Sequence, residues 1–182
     1  MNDELFDQIA ALLTRFRRMG HTRNGVRDTW AYDGQDSDQH VVFGIMVHGE
    51  EWGSLPGALA LMNDLTTGAR TFPGKITVFI GNADAALAGR RFLDADLNRV
   101  FLDLPPDAPA HGTLEHDRAT ALRPILDTAD LFVDFHQTIE ATASPFVISP
   151  WTPGIETWVR RLQPAPAWVT RAPDASFSTG TC

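Results

Sequence analysis

Val41-Val42-Phe43-Gly44-Ile45-Met46-Val47-His48-Gly49-Glu50-Glu51-Trp52-Gly53 decides how this chain is read. An apolar, β-branched run ends in a histidine, a glycine and two acids, and a helical pattern follows. A buried parallel strand delivers polar groups to its carboxyl end in this way. His48 and Glu51 stand three apart across a tight turn, so both side chains can converge on one cation. The stretch therefore predicts half of a zinc site, with the rest to be sought downstream.

Working outward, His40 to Val47 is the first predicted strand, and residues 54–67 follow as a helix with Leu55, Ala58, Leu59, Leu61, Met62 and Leu65 inward. On the N-terminal side, Leu5, Phe6, Ile9, Leu12, Leu13 and Phe16 repeat at helical spacing over residues 3 to about 19, ending near Gly20. Residues 20–39 are turn-rich, with a short strand expected around Val26 to Tyr32. Lys75 to Ile80 is a second buried strand, bounded by Pro73-Gly74 and Gly81-Asn82. Residues 83–89 read as a short helical piece. Arg90 to Phe101 is dense in charge and amide, and reads as an irregular segment outside the core.

Leu104 to Gly112 is a proline-rich loop, and Thr113 begins a helix to about Ala129 that Pro124 is expected to interrupt or kink. Asp130 to His136 is a third buried strand that also ends in a histidine. Pro145 to Ser149, residues 154–163 and Trp168 to Arg171 read as strand, helix and strand. Strands alternating with helices imply an α/β fold with a mixed, mostly parallel sheet flanked by helices. Ligands bind beyond the carboxyl ends of strands in such sheets, where His48, Glu51, Asn82 and His136 gather.

Composition narrows the classes. The net charge of -8 opposes a nucleic-acid surface, which needs excess Lys and Arg. Fourteen of the fifteen basic residues are arginine, the better bidentate partner for carboxylates, so an anion remains bindable where arginines gather in one cleft. No apolar stretch approaches the roughly 18 residues that span a bilayer. The acidic start and the single cysteine, Cys182, favour the cytoplasm and no disulfide framework.

A catalytic zinc takes three protein ligands and leaves a fourth position for water. His48, Glu51 and His136 supply a His₂Glu set, although such a set also accepts cobalt, manganese or nickel. H-x-x-E alone is a weak signal; His48 by itself reads equally as a hydrogen-bonded strand-end residue, and His136 by itself reads more readily as one than as a ligand. A third segment strengthens the pattern: Arg91-Phe92-Leu93-Asp94-Ala95-Asp96-Leu97-Asn98-Arg99 lies between the two ligand segments. Its D-x-N-R core, with H-G-x-E before it and D-x-H after it, resembles the aspartoacylase and succinylglutamate desuccinylase family, a branch of the zinc carboxypeptidase superfamily. The resemblance covers roughly residues 40–140.

That resemblance implies zinc on His48, Glu51 and His136, with Asp96 orienting a zinc-bound histidine and fixing its tautomer. It implies that Asn98 and Arg99 hold a substrate carboxylate, which suits a guanidinium fork. It also implies that Arg91 polarises the scissile carbonyl and stabilises the oxyanion. Asp134 shares a strand side with His136, placed either to support it or to cap a neighbouring loop. Thr138 and Glu140 are expected to line the pocket, with Glu140 selecting substrate. Glu50 is expected to point away from Glu51, Trp52 to form a wall, and His111 and His116 to lie at the surface. His21 and His40 show no partner pattern.

The pattern breaks downstream. The family uses a general-base glutamate on a later strand, but after His136 the acids are Glu140, Glu156 and Asp174, none in that setting. The expectation is a single zinc carboxypeptidase-like catalytic domain over residues 1–182, truncated at its C-terminus, without the base and any β domain. An open apolar sheet edge would then favour a homo-oligomer. The predicted activity is zinc-dependent hydrolysis of the amide of an N-acyl amino acid or related small carboxylate, with no nucleic-acid or membrane partner. The rivals are a metallocarboxypeptidase on peptide C-termini and a noncatalytic metal- or ligand-binding domain. A nucleotide-binding fold is disfavoured, because no G-x-G-x-x-G or G-x-x-x-x-G-K-[ST] follows a strand.

Overall fold

The computed structural model describes residues 3–101, 104–105, 107–138, 140, 142–150, 153–161 and 167–170. The chain forms two compact units, residues 1–137 and 138–181. The first carries a four-stranded sheet of β1 (Thr29–Asp33), β2 (His40–Ile45), β3 (Lys75–Ile80) and β4 (Leu131–Phe135) in the order β1-β3-β2-β4. β2 runs parallel to both β3 and β4, while β1 is antiparallel to β3. The mixed, mostly parallel sheet expected from the sequence is present.

Three helices cover one face. The amphipathic α1 (Asp3–Arg18), with α2 (Leu55–Thr67) and the short α3 (Ala83–Leu87), buries Ile9, Leu13, Leu59 and Met62 against Trp30, Ile45, Val78 and Ile80. α2 starts with Pro56 in its first turn and stops at Gly68, whose φ of 75° is the left-handed cap that ends a helix. On the other face, α5 (Leu114–Leu126) packs Leu122, Ile125 and Leu126 on Val42 and Phe79. The alternation along β3, with Ile76, Val78 and Ile80 to one side and Phe79 to the other, is the period-2 signature of a strand buried on both faces. Each such fully buried side chain contributes roughly 1.5–3 kcal/mol.

Three expectations need correction. β2 ends at Ile45 rather than Val47, because Met46 adopts a left-handed φ of 52° that turns the chain out of the strand while its side chain stays fully buried. The segment from Arg90 to Phe101 is not wholly outside the core: α4 (Leu97–Val100) buries Leu97 and Val100 beside Val47 and Ala119 of α5. Pro124 does not interrupt α5, which continues to Leu126 and starts at the N-cap Thr113, whose hydroxyl accepts from the His116 amide. His40 proves structural, buried at 5% exposure with its Nε2 2.8 Å from the Thr77 hydroxyl.

The second unit is a parallel pair, β5 (Val147–Pro150) and β6 (Ala167–Thr170), with α6 (Pro153–Arg161) between them in sequence. Among the described residues no helix is long and apolar enough to cross a membrane.

Asp28 ties α1 to the start of β1. Arg17 forks onto it, Nε at 2.6 Å from Oδ1 and Nη2 at 3.1 Å from Oδ2. Burial pushes the Asp28 carboxyl up, but Arg17, Arg118 and Arg27 outweigh it and hold it below the ordinary carboxylate range. A folded pKa below the unfolded one stabilises above the unfolded value of about 3.9 and is lost as pH falls through the folded value. Asn also tolerates the φ of 53° at this position, so Asp28→Asn removes the charge without straining the backbone. The variant should be less stable than the parent at pH 7 and approach it near pH 2 in urea titrations. An equal deficit at both pH values would show that the charge contributes nothing.

Candidate metal centre

The carboxyl ends of β2 and β4 lie side by side, with Ile45 paired to Phe135, so the turn after β2 and the residue after β4 meet. Gly49 permits that turn. A Cβ there would stand 2.4 Å from the Ala86 nitrogen and 2.5 Å from the Arg90 oxygen, backbone atoms that cannot retreat. Its own amide donates to the Arg91 carbonyl at 2.9 Å, which joins the H-G-x-E turn to the segment that starts at Arg91.

Glu51 is buried at 3% exposure and faces both histidines. Its Oε1 is 2.9 Å from His48 Nδ1 and its Oε2 is 2.8 Å from His136 Nδ1. Each imidazole also meets an aspartate through its far nitrogen: His48 Nε2 is 3.0 Å from Asp96 Oδ1, and His136 Nε2 is 2.7 Å from Asp134 Oδ2. Acid and imidazole thus alternate in the order Asp96, His48, Glu51, His136, Asp134. A neutral imidazole that donates Nε2–H to an aspartate presents a lone pair at Nδ1. Two such lone pairs facing one carboxylate repel it, unless a proton or a cation lies between them.

The arrangement therefore fits a metal ion. One ligand atom from each of His48, Glu51 and His136 lies within 4.8 Å of the other two. Tetrahedral ligation at about 2.0–2.1 Å needs ligand atoms roughly 3.4 Å apart, so small movements suffice. The electrostatics agree. Burial pushes the Glu51 carboxyl up, but its bonds to His136 and His48 outweigh that and bring it down to about 2. Burial pushes His136 down, but Asp134 and Glu51 outweigh it and raise the imidazole to about 10. Both shifts favour positive charge between these groups.

The remaining predicted residues are placed as follows. Asp96, which the resemblance sets against a histidine of the site without saying which, stands 3.0 Å from His48 Nε2, and it also caps α4 by accepting from the Asn98 amide at 2.9 Å. Arg91 reaches the same centre, its Nη1 3.1 Å from Glu51 Oε1 and its Nη2 3.2 Å from His48 Nε2. Asn98 stands 3.4 Å from His136 Nε2, a neighbour rather than a strong bond, and its Oδ1 is buried without a partner. Arg99 is exposed on α4, next to Asn98. Glu140 is exposed in the second unit, as is Thr138. Of the other downstream acids, Glu156 pairs with Arg160 at 2.6 Å on α6, and Asp174 lies outside the described residues.

Glu50 departs from expectation. It shares Arg91 with Glu51, its Oε1 2.7 Å from Arg91 Nη1, because the turn after His48 sends both acids toward the same guanidinium. Trp52 packs into the core cluster under α2. Asp134 supports His136, one of the two roles its strand side allows, and Gly44 makes room for it: a Cβ at Gly44 would stand 3.1 Å from Asp134 Oδ1. Gln137 had no sequence signal, yet its Oε1 accepts from the Gly53 amide at 2.8 Å, tying the end of β4 to the turn after Glu51.

Comparison with known proteins agrees with this geometry. The Succinylglutamate desuccinylase/Aspartoacylase catalytic domain profile matches residues 41–181. The succinylglutamate desuccinylase of Paraburkholderia xenovorans (strain LB400) is 31% identical over 151 residues, which are 73% of this chain and 44% of that protein. The chain thus spans less than half the length of that relative. The crystal structure of the Vibrio cholerae succinylglutamate desuccinylase superposes with a TM-score of 0.68 at 17% identity, over 89% of this chain and 54% of that one. The Chromobacterium violaceum enzyme superposes with a TM-score of 0.64 at 19% identity, over 92% and 73%. These two likenesses show the fold, which is that of the zinc carboxypeptidase-like desuccinylase structures.

Asp96→Ala and Asp134→Ala should each weaken divalent-metal affinity by about 10–100-fold, the usual effect of removing the acid behind a ligating histidine. A chelator-competition titration with Co²⁺ or Zn²⁺ measures it. Parent-like affinity in either variant would mean that its aspartate does not hold the imidazole for a metal.

Proposed function

The chain belongs to the succinylglutamate desuccinylase/aspartoacylase family, and on that premise we propose that its site is the centre of a zinc-dependent hydrolase of N-acyl amino acids. The observation that carries the proposal is the shared Glu51, which faces Nδ1 of both His48 and His136 while an aspartate takes each Nε2. Zinc held by His48, Glu51 and His136 would supply Lewis acidity, activating water and polarising the scissile amide carbonyl.

The chain's own residues divide the rest of the work. Asp96 and Asp134 accept the Nε2 protons and so keep both Nδ1 atoms available. Arg91 is anchored by Glu50 and Glu51 with its guanidinium beside the ligands, where its positive charge stabilises an oxyanion developing on the former carbonyl oxygen. Asn98 and Arg99, adjacent on α4, bind the substrate carboxylate. The substrate is a small molecule bearing a carboxylate beside a secondary amide.

Purified chain should contain about one zinc, and a His48→Ala/His136→Ala variant should contain none by elemental analysis. Hydrolysis is to be assayed on N-succinylglutamate, N-acetylaspartate and short peptides side by side. Cleavage of the acylated amino acids and not of the peptides supports the proposal, and the reverse supports a carboxypeptidase. Absence of metal after zinc is added back would overturn both readings. Arg99→Lys should raise KM by about tenfold or more, since the ammonium cannot reproduce the guanidinium fork. A KM equal to the parent's would remove Arg99 from carboxylate binding.

A further inference from the structure

Glu115 belongs to none of the three motifs, yet at 1% exposure it is the least exposed carboxylate among the described residues. It accepts four hydrogen bonds. Oε1 takes the Asn82 side-chain amide at 2.8 Å and the Leu93 backbone amide at 2.6 Å; Oε2 takes the Asp94 and Ala95 amides, both at 3.1 Å. Burial pushes its carboxyl up, but these donors outweigh it and hold it below the ordinary range, without a cationic side chain. Asp94 reciprocates, its Oδ2 accepting from the Leu114 amide at 3.2 Å at the start of the same helix.

Three successive backbone amides wrapped on one carboxylate define the path of residues 93–95, because no other group among the described residues satisfies them. The next residue is Asp96, which stands 3.0 Å from His48 Nε2. Arg91 lies two residues before the wrapped segment. Asn82 fastens the same carboxylate to the carboxyl end of β3, where its Oδ1 caps α3 by accepting from Ala85 at 3.2 Å. Glu115 thus connects the strand platform to the one loop that carries Arg91, Asp96, Asn98 and Arg99.

We propose that Glu115 is a positioning residue of the metal centre: by holding the amides of Leu93, Asp94 and Ala95 it places Asp96 on His48 and so sets the imidazole for metal binding. This rests on the metal reading of His48, Glu51 and His136. Glu115 touches neither metal nor substrate and acts through Asp96.

The test is a double-mutant cycle on the full chain, with Zn²⁺ alone as the probe. Glu115→Gln keeps the volume and removes the charge that draws three amides together. It should weaken zinc at least about fivefold in the parent background and by less than about twofold in the Asp96→Ala background. The same penalty with and without Asp96 would overturn the proposal, as would parent-like zinc affinity in Glu115→Gln. A second readout needs no metal: ¹⁵N NMR of the His48 ring. The parent should show a single ring form with the Nε2 proton held on Asp96, whatever Nδ1 carries, and Glu115→Gln a mixture of forms in which that hydrogen bond is lost, with amide exchange accelerated at residues 93–95 but not in β2 or β3.

An unchanged ring pattern overturns the role of Glu115 whatever the metal does. A parent that takes up no zinc sinks the hydrolase reading, and the ring pattern then decides on Glu115 alone. Should Glu115→Gln fail to fold, Glu115→Asp, which keeps the charge but retracts it by one methylene, takes its place in both readouts.

Discussion

A single buried carboxylate shared by two histidines from distant parts of the chain is the constraint on which the rest of the site depends. Glu51 is 3% exposed, and a charge removed from water to that degree is costly unless partners surround it. The partners are His48, three residues before it, and His136, on the far side of an entire β-α-β excursion. No local sequence preference can hold that second contact. It exists because β2 and β4 are neighbours in parallel register, with Gly44 opposite Asp134 and Ile45 opposite Phe135. The sheet is thus the frame that sets the distance between the two imidazoles, whose centroids are 5.3 Å apart.

The same carboxylate explains why so many further acids gather there in a chain that is already negative overall. An imidazole between two carboxylates either takes a second proton or shares its inner lone pair with a cation. Asp96 and Asp134 therefore do more than add charge: by engaging Nε2 they direct Nδ1 of each ring at Glu51. Gly44 is the backbone counterpart of this device, since a side chain there would press on Asp134 and on the rings of Phe79 and Phe132. Arg91 closes the rim by bridging Glu50 and Glu51, so the two adjacent acids share one guanidinium.

Much of this was legible in the sequence because strand ends announce themselves. Apolar runs that stop at His48 and His136, with D-x-N-R between them, pointed to the candidate ligands, and the shared strand side of Asp134 and His136 pointed to Asp134. What could not be read follows from interactions without periodicity. Met46 leaves the strand through a left-handed φ that a buried methionine gives no cause to expect. α4 is one turn long, too short for a helical pattern, yet Leu97 and Val100 anchor it in the core. Glu50 looked as though it faced away because strand alternation was extended into a turn where it no longer holds. Glu115 and Arg118 stand in a helix outside all three motifs, so nothing in the sequence points to them.

These two residues show how the platform is finished. Active-site loops leave backbone groups that no strand or helix satisfies, and a buried unsatisfied group costs about 1–3 kcal/mol. α5 answers with two charged side chains of opposite sign, three residues apart and so on one face. Glu115 accepts from the amides of residues 93–95, while Arg118 donates to the carbonyls of Ile80 and Gly81 at the end of β3 and to that of Arg27. Burial pushes Arg118 down to about 10, where it stays charged at neutral pH and continues to donate. Hydrophobic residues in these positions would leave the loop amides and strand-end carbonyls bare. The charged pair on α5 is thus the price of an irregular loop at the candidate metal centre, with Glu115 buried and Arg118 half-buried beside the groups they satisfy.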